Sequence, residues 1–204
     1  MDIEEVKEAI CKISALSYEK NMVVGTGGNI SARVGDYIYI TPHGVVLGEV
    51  TPEDLVKVGM DGSYEGTVEP SVETKLHLRC YSIRPDIDAV VHLHSYYSTL
   101  IGMLNEESIM PAYTGAYFYK VGKLGLVPFF KSGADELADA VGRLIAGTNA
   151  VLMQNHGIIT CAKSLRKAFS LCEDVEINAR MHMDMRGKGA LTEEQLKMLS
   201  GKIY

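Results

Sequence analysis

An apolar stretch that ends in two histidines constrains this chain more than any other feature. Residues 89–95 are Ala-Val-Val-His-Leu-His-Ser, a β-branched run typical of a buried strand. Side chains at i and i+2 of a strand lie on one face about 7 Å apart, so His92 and His94 can approach one metal ion. His156 follows a second apolar run and precedes a glycine, which permits a sharp turn. We predict that these three histidines hold a catalytic divalent cation, zinc before cobalt, nickel or manganese. A buried, hydrogen-bonded pair of core histidines is the competing interpretation of His-x-His alone.

The composition favours one globular domain spanning residues 1–204. The chain has 204 residues, 47% of them hydrophobic and 23% charged, which is enough for a sizeable core, and no Pro/Gly/Ser-rich linker divides it. The four cysteines have no Cys-x-x-Cys spacing and lie in apolar patterns. We therefore expect them to be reduced core thiols.

Charge and hydropathy argue against a membrane or a nucleic acid as partner. The formal net charge is -6 without a basic cluster, and no apolar run approaches the ~18 residues that a membrane span requires. The first five residues, Met-Asp-Ile-Glu-Glu, are acidic, whereas a secretion signal begins with basic residues. We predict a cytoplasmic protein that acts on small molecules.

Hydrophobic periodicity predicts a mixture of helices and strands. The predicted helices are 2–20, 73–81 with Ser71 as N-cap, 95–104, 134–146 and 164–185. The predicted strands are 37–40, 56–58, the histidine strand within 89–95, an edge strand at 126–129, 150–153 and 158–161, with a further strand after the glycine-rich turn described next. Residues 110–117 are interpreted as a loop.

The glycine-rich segment 25–33, Gly-Thr-Gly-Gly-Asn-Ile-Ser-Ala-Arg, is a candidate oxyanion site. Backbone N–H groups of such a loop are unobstructed by Cβ atoms, and Thr26, Asn29 and Ser31 add side-chain donors, which suits a phosphate. The segment lacks the Walker lysine and the Gly-x-Gly-x-x-Gly spacing, so a plain loop is the alternative.

Several polar residues are candidates for acid–base chemistry. Glu73 lies in the predicted first helical turn, where a carboxylate either interacts with the helix dipole or serves a reaction. His77, one turn later on the same face, either packs in the core, supports a ligand side chain from behind, or orients a catalytic group. Tyr113 and Tyr117 lie in the predicted loop and could donate a proton.

Five motifs together resemble the class II aldolase/adducin family. In order they are Gly-Gly-Asn-Ile-Ser-Ala-Arg, Thr-Pro-His-Gly, Glu-Pro-Ser-Val-Glu-Thr-Lys-Leu-His, Val-Val-His-Leu-His-Ser and Gln-Asn-His-Gly. The resemblance is strongest to the zinc-dependent aldolases that cleave a fuculose-1-phosphate-like ketose 1-phosphate. It implies an α/β fold, a three-layer α/β/α sandwich with a mainly antiparallel central sheet, assembled as a C4-symmetric homotetramer.

The same resemblance assigns roles to residues. The metal ligands would be His92, His94 and His156, for Zn²⁺ or else Mn²⁺ or Co²⁺, and Glu73 would be the catalytic acid/base. The phosphate pocket would comprise the loop residues Gly27, Gly28, Asn29, Thr41, Gly44 and Ser71. The cleaved ketose would also need a hydroxyl that donates to its C4 oxygen. This hydroxyl would come from Tyr113, from Tyr117, or from Tyr204 in the tail of a neighbouring subunit.

Two departures from the family pattern leave the substrate open. His43 stands where a hydroxyl residue is common, and Val72 stands where a second serine is common. Alternatives within the family are a pentulose-5-phosphate 4-epimerase, in which an aspartate ligand usually replaces Glu73, and a sugar-phosphate dehydratase or decarboxylase. An adducin-like binding module without catalysis is a further alternative, although such a module would normally lack the metal histidines.

Overall fold

The computed structural model of the chain describes residues 2–104 and 110–200. Its strands are β1 (Asn29–Val34), β2 (Tyr37–Ile40), β3 (Val56–Gly59), β4 (Ala89–Leu93), β5 (Leu124–Val127), β6 (Ala150–Met153) and β7 (Gly157–Ala162). Its α-helices are α1 (Ile3–Glu19), α2 (Thr74–Ile83), α3 (Tyr96–Met103), α4 (Gly115–Lys120), α5 (Asp135–Ile145), α6 (Leu165–Asp184) and α7 (Glu193–Ser200). Among these described helices none is long and apolar enough to cross a membrane.

The strands form one seven-stranded sheet in the order β3-β2-β1-β4-β7-β6-β5. Neighbouring strands pair antiparallel except β5 and β6, which pair parallel. Helices α2 and α5 pack together over one face, and α1, α3, α4 and α6 lie on the other. The predicted three-layer α/β/α sandwich is therefore confirmed. The assignment of residues 1–204 to a single domain stays a prediction.

The central strand β4 is buried on both faces, which explains its continuous apolar sequence. Ala89, Val91 and Leu93 point into the core beneath α1 and α6. Val90 points to the opposite face, toward α2 and α5. His92 is two residues further on, so its imidazole also lies on the α2 side, where it is fully buried.

Helix α2 starts differently from the prediction. Ser71 was expected to be its N-cap, but the helix begins at Thr74 and Glu73 occupies the N-cap position without a side-chain capping bond. The Ser71 hydroxyl instead accepts a hydrogen bond from the Glu73 N–H at 3.3 Å within the preceding turn. The N-cap prediction was wrong because a separate turn precedes the helix, closed by the Thr74 N–H donating to the Ser71 carbonyl oxygen at 3.0 Å.

Two further boundaries were predicted wrongly. The loop 110–117 ends early, because α4 begins at Gly115 with Thr114 as its N-cap, accepting from the Tyr117 N–H at 3.2 Å. The edge strand does lie at the sheet edge, but it spans Leu124–Val127 instead of 126–129. Pro128 follows it directly, and proline has no N–H to extend the ladder.

A carboxylate from α6 fixes the chain immediately after the histidine strand. Ser95 occupies the N-cap position of α3 but makes no capping bond. Glu176 replaces it, accepting hydrogen bonds from the N–H groups of Tyr97 at 2.9 Å and Ser98 at 2.8 Å. A negative charge at a helix N-terminus is favourable, so this contact anchors α3 and with it the segment that carries His94.

Candidate metal centre

Four side chains converge at one end of the central strands: Glu73, His92, His94 and His156. Their nearest ligand atoms all lie within 4.8 Å of one another. Strands β4 and β7 are antiparallel neighbours, with Leu93 opposite Ile158, so the end of β4 meets the turn that precedes β7. The pairing thus brings His156 beside the two histidines of β4, and α2 delivers Glu73 from the layer above.

The geometry within this four-residue cluster fits a divalent cation. The Nε2 atoms of His92 and His94 are 3.0 Å apart. The Glu73 carboxylate lies 3.0 Å from His92 Nε2 through Oε2 and 3.1 Å from His156 Nε2 through Oε1. Two imidazole nitrogens facing each other at this distance repel unless a proton or a cation lies between them. Three imidazoles and one carboxylate form a donor set that zinc and similar ions accept.

A main-chain contact sets the orientation of His92. Its Nδ1 lies 2.9 Å from the Ile158 carbonyl oxygen, which can only accept. Nδ1 therefore carries a proton, and Nε2 is the ring atom that faces the cluster. The same pairing of β4 with β7 that places the ring also selects its metal-binding tautomer.

Two glycines allow the chain to approach the His94 ring from opposite sides. A Cβ at Gly27 would lie 2.7 Å from His94 Nδ1, and one at Gly157 would lie 3.1 Å from His94 Cδ2. Gly28 has a φ of +77°, and a Cβ there would lie 2.9 Å from the His92 carbonyl oxygen. The glycine-rich loop is therefore packed against the histidine strand, a role that the sequence interpretation missed.

Burial and charge act in opposite directions on the ionisable groups of the cluster. Burial alone raises the pKa of Glu73, but the charge and hydrogen bonds of His92 and His156 outweigh it, so the pKa lies well below its usual range. Burial, followed by the positive charge of His92, lowers the pKa of His94 to about 3. Glu73 is therefore a carboxylate and His94 a neutral imidazole at neutral pH. Burial lowers the pKa of His92, but the charge and hydrogen bond of Glu73 outweigh it and raise that pKa, so a metal ion that binds His92 Nε2 competes with a proton there.

The loops of the predicted phosphate pocket lie side by side. The Ser71 N–H donates to the Thr41 carbonyl oxygen at 3.3 Å, and Thr41 Oγ1 accepts from the Ile30 N–H at 3.2 Å. Gly44 lies in the exposed turn after Thr41 with a φ of +72°. The binding of a phosphate by Gly27, Gly28, Asn29, Thr41, Gly44 and Ser71 stays a prediction.

The Asn29 side chain is already committed to other partners. Its amide nitrogen donates to Glu73 Oε2 at 2.8 Å, and its amide oxygen lies 2.6 Å from His77 Nε2. These contacts use the amide oxygen and one of the two N–H groups of the Asn29 side chain.

Ser132 contacts the cluster and was not found from the sequence. Its hydroxyl donates to Glu73 Oε1 at 2.9 Å from the turn that precedes α5. Gly133 makes this approach possible, because a Cβ there would lie 2.9 Å from the Val72 carbonyl oxygen. The two residues are 59 positions apart in sequence, and no local pattern marks the contact.

The three tyrosines proposed as proton donors differ in location. Tyr117 lies in the core at 3% exposure, and burial raises its pKa to about 12. The Tyr113 hydroxyl is hydrogen-bonded to His182 Nδ1 on α6 at 3.2 Å. Tyr204 lies outside the described residues. Tyr113 is thus the accessible candidate among the described tyrosines of this segment.

The packing of Gly27 on His94 yields a test of the cluster. Gly27 has an ordinary φ, so in Gly27→Ala only the new Cβ, 2.7 Å from His94 Nδ1, should disturb the protein. Displacing a ligand typically lowers metal affinity about 10–100-fold, which competition with a zinc chelator would measure. His94→Ala is the reference for loss of the ligand, and Gly147→Ala, where a Cβ has room, is the control. Wild-type affinity in Gly27→Ala would contradict the placement of His94 in the centre.

Comparison with known proteins agrees with this geometry. L-fuculose phosphate aldolase of Methanocaldococcus jannaschii is 34% identical over 176 residues, 86% of this chain and 94% of that protein. 3-oxo-tetronate 4-phosphate decarboxylase of Cupriavidus necator is also 34% identical, over 185 residues, 89% of this chain and 85% of that protein. The solved structure of YgbL from Klebsiella pneumoniae, a candidate aldolase/epimerase/decarboxylase, has a TM-score of 0.92 at 29% identity and covers 98% of this chain and 99% of that one.

The family model described as class II aldolase and adducin N-terminal domain matches residues 8–183, which include all four residues of the cluster. The chain therefore belongs to the class II aldolase and adducin N-terminal domain family.

Proposed function

We propose that this protein is a metal-dependent aldehyde-lyase that reversibly cleaves a fuculose-1-phosphate-like ketose 1-phosphate to dihydroxyacetone phosphate and an aldehyde. The observation that carries the proposal is the Glu73 carboxylate, which is 3% exposed and lies within hydrogen-bonding distance of two histidines of the cluster. A proton-transfer group beside a cation site is the arrangement that this cleavage needs.

Breaking the bond between C3 and C4 leaves its electron pair on C3, as the enediolate of dihydroxyacetone phosphate. A divalent cation, which we propose to be zinc with manganese or cobalt as alternatives, supplies positive charge opposite the enediolate oxygens when it is bound. In the condensation direction the Glu73 carboxylate removes the C3 proton, and the aldehyde oxygen takes up a proton as it becomes the C4 hydroxyl. In the cleavage direction the C4 hydroxyl loses its proton as the aldehyde forms, and Glu73 in its protonated form returns a proton to C3. The three histidines are neutral ligands, so they leave the positive charge of the site uncompensated.

The glycine-rich loop and its neighbours serve the phosphate in this proposal. Main-chain N–H groups of Gly27, Gly28 and Gly44, the hydroxyls of Thr41 and Ser71, and the Asn29 N–H that does not bond Glu73 are the donors. His43 is exposed beside Gly44, where it can face the same anion. A small sugar phosphate is thus the proposed ligand class.

We also propose that a homotetramer completes the site. Apolar side chains are exposed on segments that adjoin it: Val72 is 53% exposed beside Glu73, Val24 is 82% exposed just before the glycine-rich segment, and Phe129 is 64% exposed and donates its N–H to Gln154. Large exposed apolar side chains are typical of an interaction surface. Within the described part of the chain no hydrogen bond joins Tyr113 to the four-residue cluster. A Tyr113 contributed by a neighbouring subunit would supply the hydroxyl for the C4 oxygen.

Decarboxylation of a sugar-acid phosphate is the second candidate, because the C. necator decarboxylase is as similar to this chain as the M. jannaschii aldolase. In a 3-oxo-tetronate 4-phosphate, loss of CO₂ from C1 leaves the electron pair on C2 beside the C3 carbonyl. The product is the same enediolate, which Glu73 would protonate to dihydroxyacetone phosphate. The two reactions differ in the group that leaves. The aldolase releases an aldehyde and must move a proton at the aldehyde oxygen, whereas the decarboxylase releases CO₂ and needs no such proton transfer.

The role of Glu73 is testable by isotope exchange. Glu73→Gln keeps the size of the side chain but cannot accept the C3 proton, so deuterium uptake into dihydroxyacetone phosphate, followed by NMR, should fall about 10²–10⁴-fold. The three histidines should keep the metal in place, as measured by elemental analysis. Glu69→Gln, at an exposed position four residues earlier, is the control. Persistent exchange at the wild-type rate would remove Glu73 from the mechanism, whereas loss of metal would make it a permanent ligand.

Tyr113 distinguishes the two candidate reactions. If the protein is an aldolase, Tyr113→Phe should slow cleavage of the ketose 1-phosphate by about 10²–10⁴-fold while deuterium exchange into dihydroxyacetone phosphate continues. If the protein is a decarboxylase, release of CO₂ from a 3-oxo-tetronate 4-phosphate should be unaffected. The matched control is Tyr119→Phe, half exposed on α4. Equal rates of aldol cleavage in wild type and Tyr113→Phe would exclude Tyr113 as the donor.

A further inference from the structure

A line of buried polar side chains runs from Glu73 into the interface between α2 and β1. Glu73, His77 and Tyr81 are spaced four residues apart at the start of α2 and along it, so they share one face. Asn29 and Ser31 are two residues apart on β1, so both side chains lie on the face of the strand that points toward α2. All five are at most 5% exposed, although most of this face of the sheet is apolar.

These five side chains form a continuous chain of hydrogen bonds. The Tyr81 hydroxyl lies 2.9 Å from Ser31 Oγ, and Ser31 Oγ lies 2.7 Å from His77 Nδ1. His77 Nε2 lies 2.6 Å from Asn29 Oδ1. Asn29 Nδ2 lies 2.8 Å from Glu73 Oε2. Buried polar groups are costly unless they are paired, and this arrangement pairs each of them.

The chemistry of the groups fixes the direction of each bond. A carboxylate only accepts, so Asn29 presents its N–H to Glu73 and its oxygen to His77. That oxygen also only accepts, so the proton of His77 resides on Nε2. Nδ1 is then an acceptor, and the Ser31 hydroxyl donates to it. The Tyr81 hydroxyl donates to Ser31, with the Ser31 Oγ at 2.9 Å and the Ser31 carbonyl oxygen at 3.1 Å sharing its proton. Every proton in the chain points toward Glu73.

The electrostatic environment agrees with this assignment. Burial, followed by the charge of His92, lowers the pKa of His77 to about 3. A neutral imidazole has one donor and one acceptor nitrogen, which is what the two neighbours of His77 require.

We infer that His77 is a positioning residue for Glu73, acting through Asn29. An isolated asparagine could rotate by half a turn and present its oxygen to the carboxylate, which would repel it. The N–H of His77 stabilises the productive orientation of Asn29. Ser132 holds the other oxygen of Glu73, so the carboxylate is bonded on both sides and its orientation is fixed. This inference rests on the proposed function of Glu73 as the group that moves the C3 proton.

The tautomer of His77 is the first test, and it requires no activity. Protein with ¹⁵N-labelled histidine, both metal-free and zinc-loaded, should show His77 at neutral pH as a single neutral imidazole with its proton on Nε2. The signal is assigned by its absence from His77→Gln. A proton on Nδ1, or a charged imidazolium, would overturn the inference.

Variants of the zinc-loaded enzyme provide the second test. His77→Leu removes both hydrogen bonds and should lower kcat for deuterium exchange about 10–100-fold, with KM and metal content unchanged. His77→Gln retains one donor and one acceptor and should recover most of the lost rate. Leu76→Ala is the matched control for general damage to α2, because Leu76 is also buried but takes no part in the chain of hydrogen bonds. An unaffected kcat in His77→Leu, or an equal loss in Leu76→Ala, would overturn the positioning role.

If His77→Leu fails to fold, Ser31→Ala takes its place. It removes the donor to Nδ1 and leaves a small side chain in the core, so a lowered exchange rate supports the inference and an unchanged rate overturns it. Failure of the proposed function is recognised separately. In that case Glu73→Gln retains exchange, whereas failure of the inference alone leaves Glu73→Gln inactive and His77→Leu fully active.

Discussion

The register of β4 between its two neighbours is the constraint on which the site depends. His92 lies opposite Asn29 of β1 and opposite Ile159 of β7. Because side chains alternate along a strand, a slip of one residue would turn His92 and His94 to the other face of the sheet, away from Glu73. Because β4 is apolar on both faces, its polar residue enforces the register: the same slip would place His92 in the apolar core beneath α1 and α6.

The parts of the site that could be predicted are those encoded by local patterns. The i, i+2 spacing of His92 and His94 and the apolar run before His156 are properties of short segments, and strand geometry then determines how they converge. Contacts between distant segments were not predictable in the same way. Ser132 reaches Glu73 from a turn without any periodic signal, and no local pattern marks the bonds of the Asn29 amide to Glu73 and His77.

The fold shows the same division. Long periodic helices and the central strands were predicted to within a few residues. The errors occur where the contacts of one side chain outweigh the secondary-structure preference of the local sequence. Helix α2 begins at Thr74, with Glu73 in the N-cap position. Glu73 does not cap the helix, because its carboxylate contacts the histidines instead. Helix α4 is short and contains two tyrosines and a phenylalanine, so its helical character depends on the Thr114 cap and on burial of Tyr117.

In the proposed mechanism the four-residue cluster serves what the two candidate reactions share, the enediolate of dihydroxyacetone phosphate. Under the same proposal, selection among substrates depends on residues near the cluster, where this chain has His43, Val72 and Ser132. Val72 is exposed beside Glu73, and the Ser132 hydroxyl donates to the Glu73 carboxylate.

Anomalous diffraction at the zinc edge from crystals of the zinc-loaded protein tests the central claim most directly. The account predicts one zinc peak per chain within about 2.0–2.1 Å of an imidazole nitrogen of each of His92, His94 and His156. A zinc ion bound elsewhere, or one that contacts fewer than two of these histidines, would contradict it.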